Sequence, residues 1–342
     1  MPHRTFFWFM LPSGLAMLLF IAFPILSSVV QSLFIEHQRR MVEVENCDPF
    51  GCKKQLKVDE QATAEIERAQ PLGQFNGLGT YADHNHLAFG DVGRAWDTSS
   101  GVADFLATVE SLPFYRALTF TLAYTFIVTP VVITLGFVIA LAVNGLPAIA
   151  KGTAIFISLL PMIITPLIGS LVLFWMIDAN GVIGSSLQRL FNDPNLSLKA
   201  STVLTWLTLF AYGVWNSAPF AFVIFYAGLQ TVPQDTLESA MIDGASRFER
   251  VRFVILPHLM PLAVFITLIQ LMDNFRVFEP IVGFNAEARA TSLSWIIFND
   301  LRGHGVPLFG SAGATSVLTI IGVSILMIPV LIRTWRDFAR RR

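Results

Sequence analysis

Six stretches of the 342-residue chain are apolar enough to cross a membrane, and polar segments separate them. Four of these stretches contain no Asp, Glu, Lys or Arg: residues 6–34, 117–143, 153–177 and 202–229. Two more lie near 259–284 and 312–332. A membrane-spanning helix needs about 20 apolar residues, and within lipid a helix satisfies all of its own backbone polar groups. The pattern therefore predicts an all-α membrane protein with six transmembrane helices.

The composition agrees with this pattern, since 54% of the residues are hydrophobic and only 14% are charged. Soluble domains carry about 25% charged residues, so the composition disfavours a large soluble helical core. The first apolar stretch is too long for a cleavable signal and is followed by no small-residue cleavage site. We expect it to stay in the protein as a membrane anchor.

Lys and Arg residues predict the orientation in the membrane. Six spans place the N-terminus, loops 144–152 and 230–258 and the C-terminus on one side, which carries Arg4, Lys151, Arg247, Arg250, Arg252, Arg333, Arg336, Arg340, Arg341 and Arg342. The short loops opposite carry only Arg189, Lys199, Arg289 and Arg302. Cytoplasmic loops are the ones enriched in Lys and Arg, so both termini are predicted to be cytoplasmic and the long segment 36–112 to lie outside.

The outer segment 36–112 contains two cysteines and two neighbouring histidines. Cys47 and Cys52 enclose a Pro and a Gly in "CDPFGC", and an oxidising compartment favours a local disulfide over two free thiols. His84 and His86 in "DHNHL" are interpreted as solvated loop residues, with a metal site as the weaker alternative. No larger metal-binding cluster is predicted.

Several catalytic motifs are absent from the sequence. No Gly-Lys is followed by Ser or Thr, so there is no Walker phosphate loop, and neither H-E-x-x-H nor G-x-S-x-G occurs. We therefore predict that the chain is not an enzyme and binds no cofactor of its own.

The charged segment 230–261 stands out between two apolar stretches. Thr231 to Gln234 resembles a capping box with Pro233 in the first turn, and an apolar stripe follows it. Gly244 then interrupts the pattern, which predicts a short helix, a turn and a second helix leading into the fifth span. An amphipathic element of this kind either lies in the lipid headgroups or docks into a groove of a cytoplasmic partner.

This segment resembles the EAA loop of permease subunits in bacterial binding-protein-dependent ABC importers, whose pattern is E-A-A, three residues, G, nine residues and I-x-L-P. Glu238, Ala240, Gly244, Leu256 and Pro257 match it, while Ser239 replaces an Ala and Val254 an Ile. "IDGAS" at 242–246, "FNGLGTY" at 75–81 and "PFYRALTFTLAYTF" at 113–126 resemble the carbohydrate-uptake branch. The similarity covers about residues 5–35 and 75–340, so 36–74 resembles an insertion.

The resemblance implies a type I ABC importer permease fold with an enlarged periplasmic loop between the first two spans. Its segments are residues 1–35 with the first span, periplasmic residues 36–112, and a five-helix core at 113–342 that contains the coupling loop 231–258. It also implies a location in the bacterial inner membrane. The implied partners are a second permease chain of different sequence, two ATP-binding subunits that hold ATP and Mg, and a periplasmic binding protein. No nucleic acid is expected as a partner. The implied ATPase-coupling residues are Glu238, Ser239, Ala240, Asp243, Gly244, Val254, Leu256 and Pro257.

Polar residues inside the predicted spans are the candidates for contact with a solute, because such residues are costly in lipid. They are Thr165, Tyr212, Asn216, Ser217, Gln270, Asp273, Asn274, Arg276 and Glu279. Asp273, Arg276 and Glu279 are spaced i, i+3, i+6, which predicts either an intrahelical ion-pair ladder or groups that face a watered cavity. Tyr212 either stacks against a sugar ring or packs within the protein.

The function implied is import of a sugar, polyol or sugar derivative, and Arg276 keeps an anionic sugar open. One alternative is an ABC permease for a non-sugar solute. Another is an ion-coupled secondary carrier that uses Asp273, Arg276 and Glu279, although the internal repeats typical of such carriers are not evident.

Overall fold

The computed structural model describes residues 2–37, 41–48, 51–303 and 307–339. Arg340, Arg341 and Arg342 of the predicted basic tail lie outside these residues. The helices are α1 Pro2–Met17, α2 Phe23–Gln31, α3 Glu60–Ala69, α4 Gly79–Ala82, α5 Phe89–Thr98, α6 Val102–Glu110, α7 Pro113–Asn144, α8 Ala148–Ile163, α9 Pro166–Met176, α10 Val182–Phe191, α11 Thr202–Leu229, α12 Gln234–Ile242, α13 Arg247–Arg250, α14 Leu256–Phe275, α15 Glu279–Gly283, α16 Leu293–Arg302 and α17 Phe309–Ala339. Two π-helical turns, Leu18–Ala22 and Val251–Ile255, join α1 to α2 and α13 to α14.

Membrane-length helices dominate the described residues. Five continuous helices are long and apolar enough to span: Thr5–Gln31, Pro113–Asn144, Thr202–Leu229, Arg247–Phe275 and Phe309–Arg336. The pair α8 and α9 passes the same test together, but it bends by 93° at the break between its helices. The described residues therefore provide six spans if this broken pair counts as one, which agrees with the predicted all-α fold.

The chain divides into two compact units. The first consists of Met1–Tyr115 and Ile296–Ile320. Within it, the short strands β1 (Phe34–Ile35) and β4 (Gln74–Phe75) pair antiparallel, with Phe34 opposite Phe75. His86 is buried and its Nε2 lies 3.1 Å from the Ser311 carbonyl oxygen. The strand pairing joins residues 74–75 to the chain just after α2, and the His86 contact holds that residue against the start of α17.

Residues 41–48 and 51–58 form the two strands of a hairpin that the sequence analysis did not predict. Strands β2 (Met41–Asp48) and β3 (Gly51–Val58) pair antiparallel, and their register sets Cys47 opposite Cys52. The side chains of both cysteines lie outside the described part of the chain, so their disulfide stays a prediction. The alternation in "MVEVE" is the period-2 signal of a strand that could have revealed this hairpin.

The second unit, Arg116–Trp295 with Ile321–Arg342, contains a helical core. Aromatic side chains of α7 and α11 fill its centre; Phe120, Phe222 and Phe225 are at most 1% exposed. Gly136 of α7 lies so close to α11 that an added Cβ would stand 2.5 Å from the Ala221 Cβ. Small residues at such crossings let transmembrane helices approach closely, which is how these two helices pack.

Candidate functional site

A polar cavity of about 480 Å³ opens within the second unit. Residues from α7, α9, α11, the end of α14 and the start of α15 line it: Tyr124, Pro166, Asn216, Ser217, Asp273, Asn274, Arg276, Val277, Glu279 and Pro280. Its volume lies within the roughly 300–1,000 Å³ of small-molecule sites. This is the arrangement of polar groups that a solute-binding cavity inside a helical membrane protein requires.

The break between α8 and α9 forms one wall of this cavity. Pro166 cannot continue a helix from Thr165, which therefore adopts an extended conformation (φ −61°, ψ 140°) as the N-cap of α9. The break frees backbone carbonyls at the end of α8, and side chains of α11 donate to carbonyls on both sides of it. Asn216 donates to the Pro161 carbonyl at 3.2 Å, and the Tyr212 hydroxyl donates to the Pro166 carbonyl at 2.6 Å.

A second break, between α14 and α15, forms another part of the wall. Helix α14 ends at Phe275, Arg276 is its C-cap, and α15 begins at Glu279. The Arg276 guanidinium pairs with Asp273 at 2.9 Å, and its Nε donates to the Met272 carbonyl at 3.3 Å. One of the two predicted arrangements was an ion-pair ladder of Asp273, Arg276 and Glu279 on a single helix. It is wrong for Glu279, because the backbone leaves the helix before this residue.

The cavity collects six of the nine predicted solute residues: Asn216, Ser217, Asp273, Asn274, Arg276 and Glu279. Tyr212 and Gln270 are buried beside it and Thr165 sits at the α8–α9 break. The Tyr212 ring lies 5.9 Å from Trp215 and 6.1 Å from Phe284, so its contacts are with protein. Solute contact by these nine residues stays a prediction.

Four of the ten lining residues were not among the predicted ones: Tyr124, Pro166, Val277 and Pro280. Tyr124 is 4% exposed and lies in an uncharged run, where its hydroxyl was the available polar signal. Val277 lines the cavity because the chain leaves helical geometry after Phe275. An apolar residue at a helix break carries no signal of this kind in the sequence.

The charged segment forms the predicted helix, turn and second helix. Helix α12 covers Gln234–Ile242, Gly244 follows in the left-handed region at φ +80°, and α13 begins at Arg247. Glycine adopts that backbone conformation without the cost that a Cβ imposes. The segment then continues through the π-helical turn into α14, the fifth span.

The predicted capping box at Thr231 is wrong. Helix α12 has Pro233 as its N-cap without a side-chain cap, and the Thr231 hydroxyl instead donates to the Gly228 carbonyl at 2.7 Å. The capping box of this segment lies at Ser246 and Glu249, where the Ser246 oxygen accepts from the Glu249 amide at 3.3 Å and Glu249 accepts from the Ser246 amide at 2.7 Å. It fixes the start of α13 directly after the turn.

The predicted coupling residues lie on a solvent-exposed surface. Glu238, Ser239, Asp243 and Gly244 are exposed, together with the neighbouring Ile242 at 87%. Ala240 and Val254 are partly buried, while Leu256 and Pro257 open α14. The loop is closed at its base, where the Thr231 hydroxyl lies 3.0 Å from the His258 Nε2.

His84 and His86 do not converge on one site. The His84 Nδ1 lies 2.7 Å from Asp91 in an exposed contact, whereas His86 is buried and contacts Ser311. The hydrogen bond from His84, followed by that from Arg94, holds the pKa of the Asp91 carboxyl below its usual value. The interpretation as a solvated loop residue therefore fits His84 but is wrong for His86, which is buried against Ser311.

A family model matches residues 105–278, about half of the chain; its description is "Binding-protein-dependent transport system inner membrane component". Similar proteins include the trehalose/maltose transport system permease protein MalF of Thermococcus litoralis, 25% identical over 224 residues that cover 65% of this chain and 75% of that one. The sn-glycerol-3-phosphate transport system permease protein UgpA of Agrobacterium fabrum is 27% identical over 228 residues, with the same coverage.

Among solved structures, the fold is similar to a bacterial ABC transporter involved in the import of the acidic polysaccharide alginate. The TM-score is 0.59 at 18% identity, and the match covers 81% of this chain and 99% of that chain. A second structure of the alginate transporter, in complex with an alginate pentasaccharide-bound periplasmic protein, has a TM-score of 0.55 at 18% identity and covers 79% of this chain and 93% of that one. At this identity the likeness establishes the fold alone.

Proposed function

Since the chain belongs to the family of binding-protein-dependent transport system inner membrane components, we propose that it is the permease subunit of an ATP-driven importer for a sugar, polyol or sugar derivative. The observation that carries this proposal is the exposed segment α12–Gly244–α13, which joins the fourth and fifth spans directly. A movement imposed on this segment reaches the cavity through α14, whose other end supplies Asp273 and Asn274. The segment is thus placed to couple a cytoplasmic partner to the solute.

The partner that fits this segment is an ATP-binding subunit. The exposed carboxylates of Glu238 and Asp243 offer charged contacts, and the exposed Met241 and Ile242 offer an apolar anchor. An amphipathic helix recognised in a groove uses this combination of groups. ATP and Mg would be held by that subunit, while this chain binds neither and is not itself an enzyme.

The solute is proposed to occupy the polar cavity between α11 and the α14–α15 break. Carbohydrate recognition needs several hydrogen-bonding groups that converge in one concave site, as Asn216, Ser217 and Glu279 do here. The names of the relatives support a carbohydrate or a related solute. The ion-coupled carrier has no such support, because family membership and the coupling segment both favour an ATP-driven importer.

The remaining subunits and the orientation follow from the same proposal. A periplasmic binding protein would deliver the solute, a second permease of different sequence would complete the pore, and two ATP-binding subunits would power it. Both termini would be cytoplasmic, residues 36–112 periplasmic with 36–74 as an insertion, and residues 113–342 the permease core. In this orientation the basic residues Arg247, Arg250 and Arg252 face the cytoplasm, in keeping with the positive-inside rule.

Co-purification in detergent with candidate ATP-binding subunits tests the proposal. We expect an ATPase to accompany the wild-type chain and to be lost from the double variant Glu238→Lys, Gly244→Pro, because charge and turn geometry both change. Glu110→Lys, an equal charge reversal at the exposed end of α6, is the control and should retain the ATPase. If no ATPase accompanies the wild type, or if the double variant binds it equally well, the proposed coupling function is wrong.

A further inference from the structure

The cation in the polar cavity is already neutralised by the protein. The Arg276 guanidinium pairs with Asp273 at 2.9 Å, and both side chains are 54% exposed. A second nitrogen of Arg276, the Nε, donates to the Met272 carbonyl. An anionic solute would have to compete with the Asp273 carboxylate for this guanidinium. The cavity therefore presents an ion pair to the solute instead of a free positive charge.

Glu279 adds a second carboxylate to the same cavity. It opens α15 and is exposed, and within the described part of the chain no Lys, Arg or His forms an ion pair with it. Asp273, Arg276 and Glu279 are the charged residues that line the cavity. Two carboxylates and one guanidinium give these lining residues a formal net charge of one negative unit.

The two amides of the cavity lining use their nitrogens for hydrogen bonds within the protein. Both amide hydrogens of Asn274 are engaged, since its Nδ2 donates to the Thr129 hydroxyl at 2.9 Å and to the Gln270 Oε1 at 3.4 Å. The Asn216 Nδ2 donates to the Pro161 carbonyl. These bonds use amide nitrogens, so the amide oxygens join the carboxylates as acceptors. A sugar hydroxyl can donate to acceptors, whereas a phosphate or sulfonate group offers mainly acceptor oxygens of its own.

We propose that this cavity admits neutral polyhydroxylated solutes and disfavours anionic sugar derivatives, with Glu279 as the residue that sets its net negative charge. The inference rests on the proposed function and narrows its solute class. It favours a neutral sugar or polyol and disfavours a phosphorylated, sulfonated or carboxylated one. Glu279 is thus the uncompensated carboxylate at this site, where it would repel an anionic group of a solute and attract a cationic one.

The charge of the cavity can be measured without any transported solute. Ser217→Cys introduces a thiol into the cavity lining. The full-length chain also carries Cys47→Ser and Cys52→Ser, and it is reconstituted with its partner subunits in proteoliposomes. Its rates of modification by a cationic and by an anionic methanethiosulfonate reagent are each divided by the rate for free 2-mercaptoethanol. We expect the cationic reagent to be favoured about tenfold or more, as charged clefts concentrate counter-ions.

Two glutamate variants of the Ser217→Cys chain test whether Glu279 causes the preference for the cationic reagent. Glu279→Gln should remove most of the preference, whereas Glu287→Gln, an equal charge change at a residue that does not line the cavity, should leave it intact. Asn216→Cys is a second reporter position if Ser217→Cys assembles poorly. Equal rates for the two reagents, or a preference for the anionic one, would overturn the inference.

A transport assay separates this inference from the proposed function. In the same proteoliposomes, ATP-dependent uptake of maltose or trehalose is compared with uptake of sn-glycerol 3-phosphate, each with its binding protein. ATP-dependent uptake that favours the anionic solute would overturn the charge inference and leave the importer standing. Loss of all ATPase association would overturn the importer. The reagent rates would then be measured on the chain reconstituted alone, where their ratio still reports the charge of the cavity.

Discussion

At the scale of single residues, Tyr124 approaches the backbone of α11 so closely that position 213 has no room for a side chain. A Cβ built on Gly213 would overlap the Tyr124 hydroxyl and stand 2.8 Å from the adjoining ring carbon. Tyr124 also lines the polar cavity. The absence of a side chain at Gly213 therefore determines how far a cavity-lining tyrosine can reach.

We expect Gly213→Ala to destabilise the protein by about 1–3 kcal/mol, since overpacking forces side chains and backbone to shift. Thermal unfolding in detergent measures this loss. Gly152→Ala is the matched control within helix α8: nothing lies within 4 Å of its added Cβ, and Ala is favoured over Gly in helices by about 0.5–1 kcal/mol. Tyr124→Phe should restore part of the stability of Gly213→Ala. Equal midpoints for the two glycine variants would contradict the argument.

At the scale of elements, an ion pair pins the connection between α9 and α11. Asp178 follows the end of α9, Lys199 precedes the start of α11, and the Lys199 ammonium lies 2.9 Å from the Asp178 carboxylate. The same ammonium stands 3.4 Å from the centroid of the Phe174 ring. The hydrogen bond from Lys199, assisted by the Asn180 amide, holds the pKa of the Asp178 carboxyl below its usual value of 3.8.

This pKa shift predicts a pH-dependent effect of Asp178→Asn. A carboxyl whose pKa is lowered by folding stabilises the protein at pH values above its unfolded pKa, and the stabilisation disappears as pH falls through the lowered folded pKa. The variant should unfold at a modestly lower temperature than the wild type at pH 7. The difference should begin to shrink near pH 3.8 and should vanish once the pH is below the lowered folded pKa. The two midpoints are compared across a pH series. In a Lys199→Met background the effect should shrink at pH 7; an undiminished effect there would contradict the ion-pair explanation.

The elements also show what the sequence could predict. Long uncharged runs predicted the spans because few structures other than a helix satisfy the backbone within lipid. Gly244 predicted the turn because its position in the chain matches the glycine of the EAA pattern. The break after Phe275 escaped prediction, since Asp273, Arg276 and Glu279 keep a helical spacing across it. Pro280, in the first turn of α15, is the sequence signal that a helix ends before it. The cavity was therefore predicted through its polar residues but not through Val277, which the break brings into its wall.

At the scale of the whole molecule, the broken pair α8–α9 decides the topology. Helix α8 has 16 residues and thus reaches about 24 Å, less than the roughly 30 Å of a hydrocarbon core, so neither helix of the pair spans alone. If the pair is one span, the N-terminus and the loop with Arg247, Arg250 and Arg252 share a side. If the pair re-enters, this basic loop falls on the opposite side, against the positive-inside rule. The charges therefore favour one bent span.

Cysteine labelling on the two flanks of this pair tests the topology. In a Cys47→Ser, Cys52→Ser background, Ala148→Cys lies at the first residue of α8 and Asn195→Cys follows α10, both at exposed positions. A membrane-impermeant maleimide added to right-side-out vesicles should label Asn195→Cys at once, but Ala148→Cys only after permeabilisation. Ser100→Cys, between α5 and α6, is the reference for the outer side. Equal labelling of the two flanking positions in intact vesicles would make the pair re-entrant and would place the coupling segment opposite the N-terminus, out of reach of any ATPase on the N-terminal side.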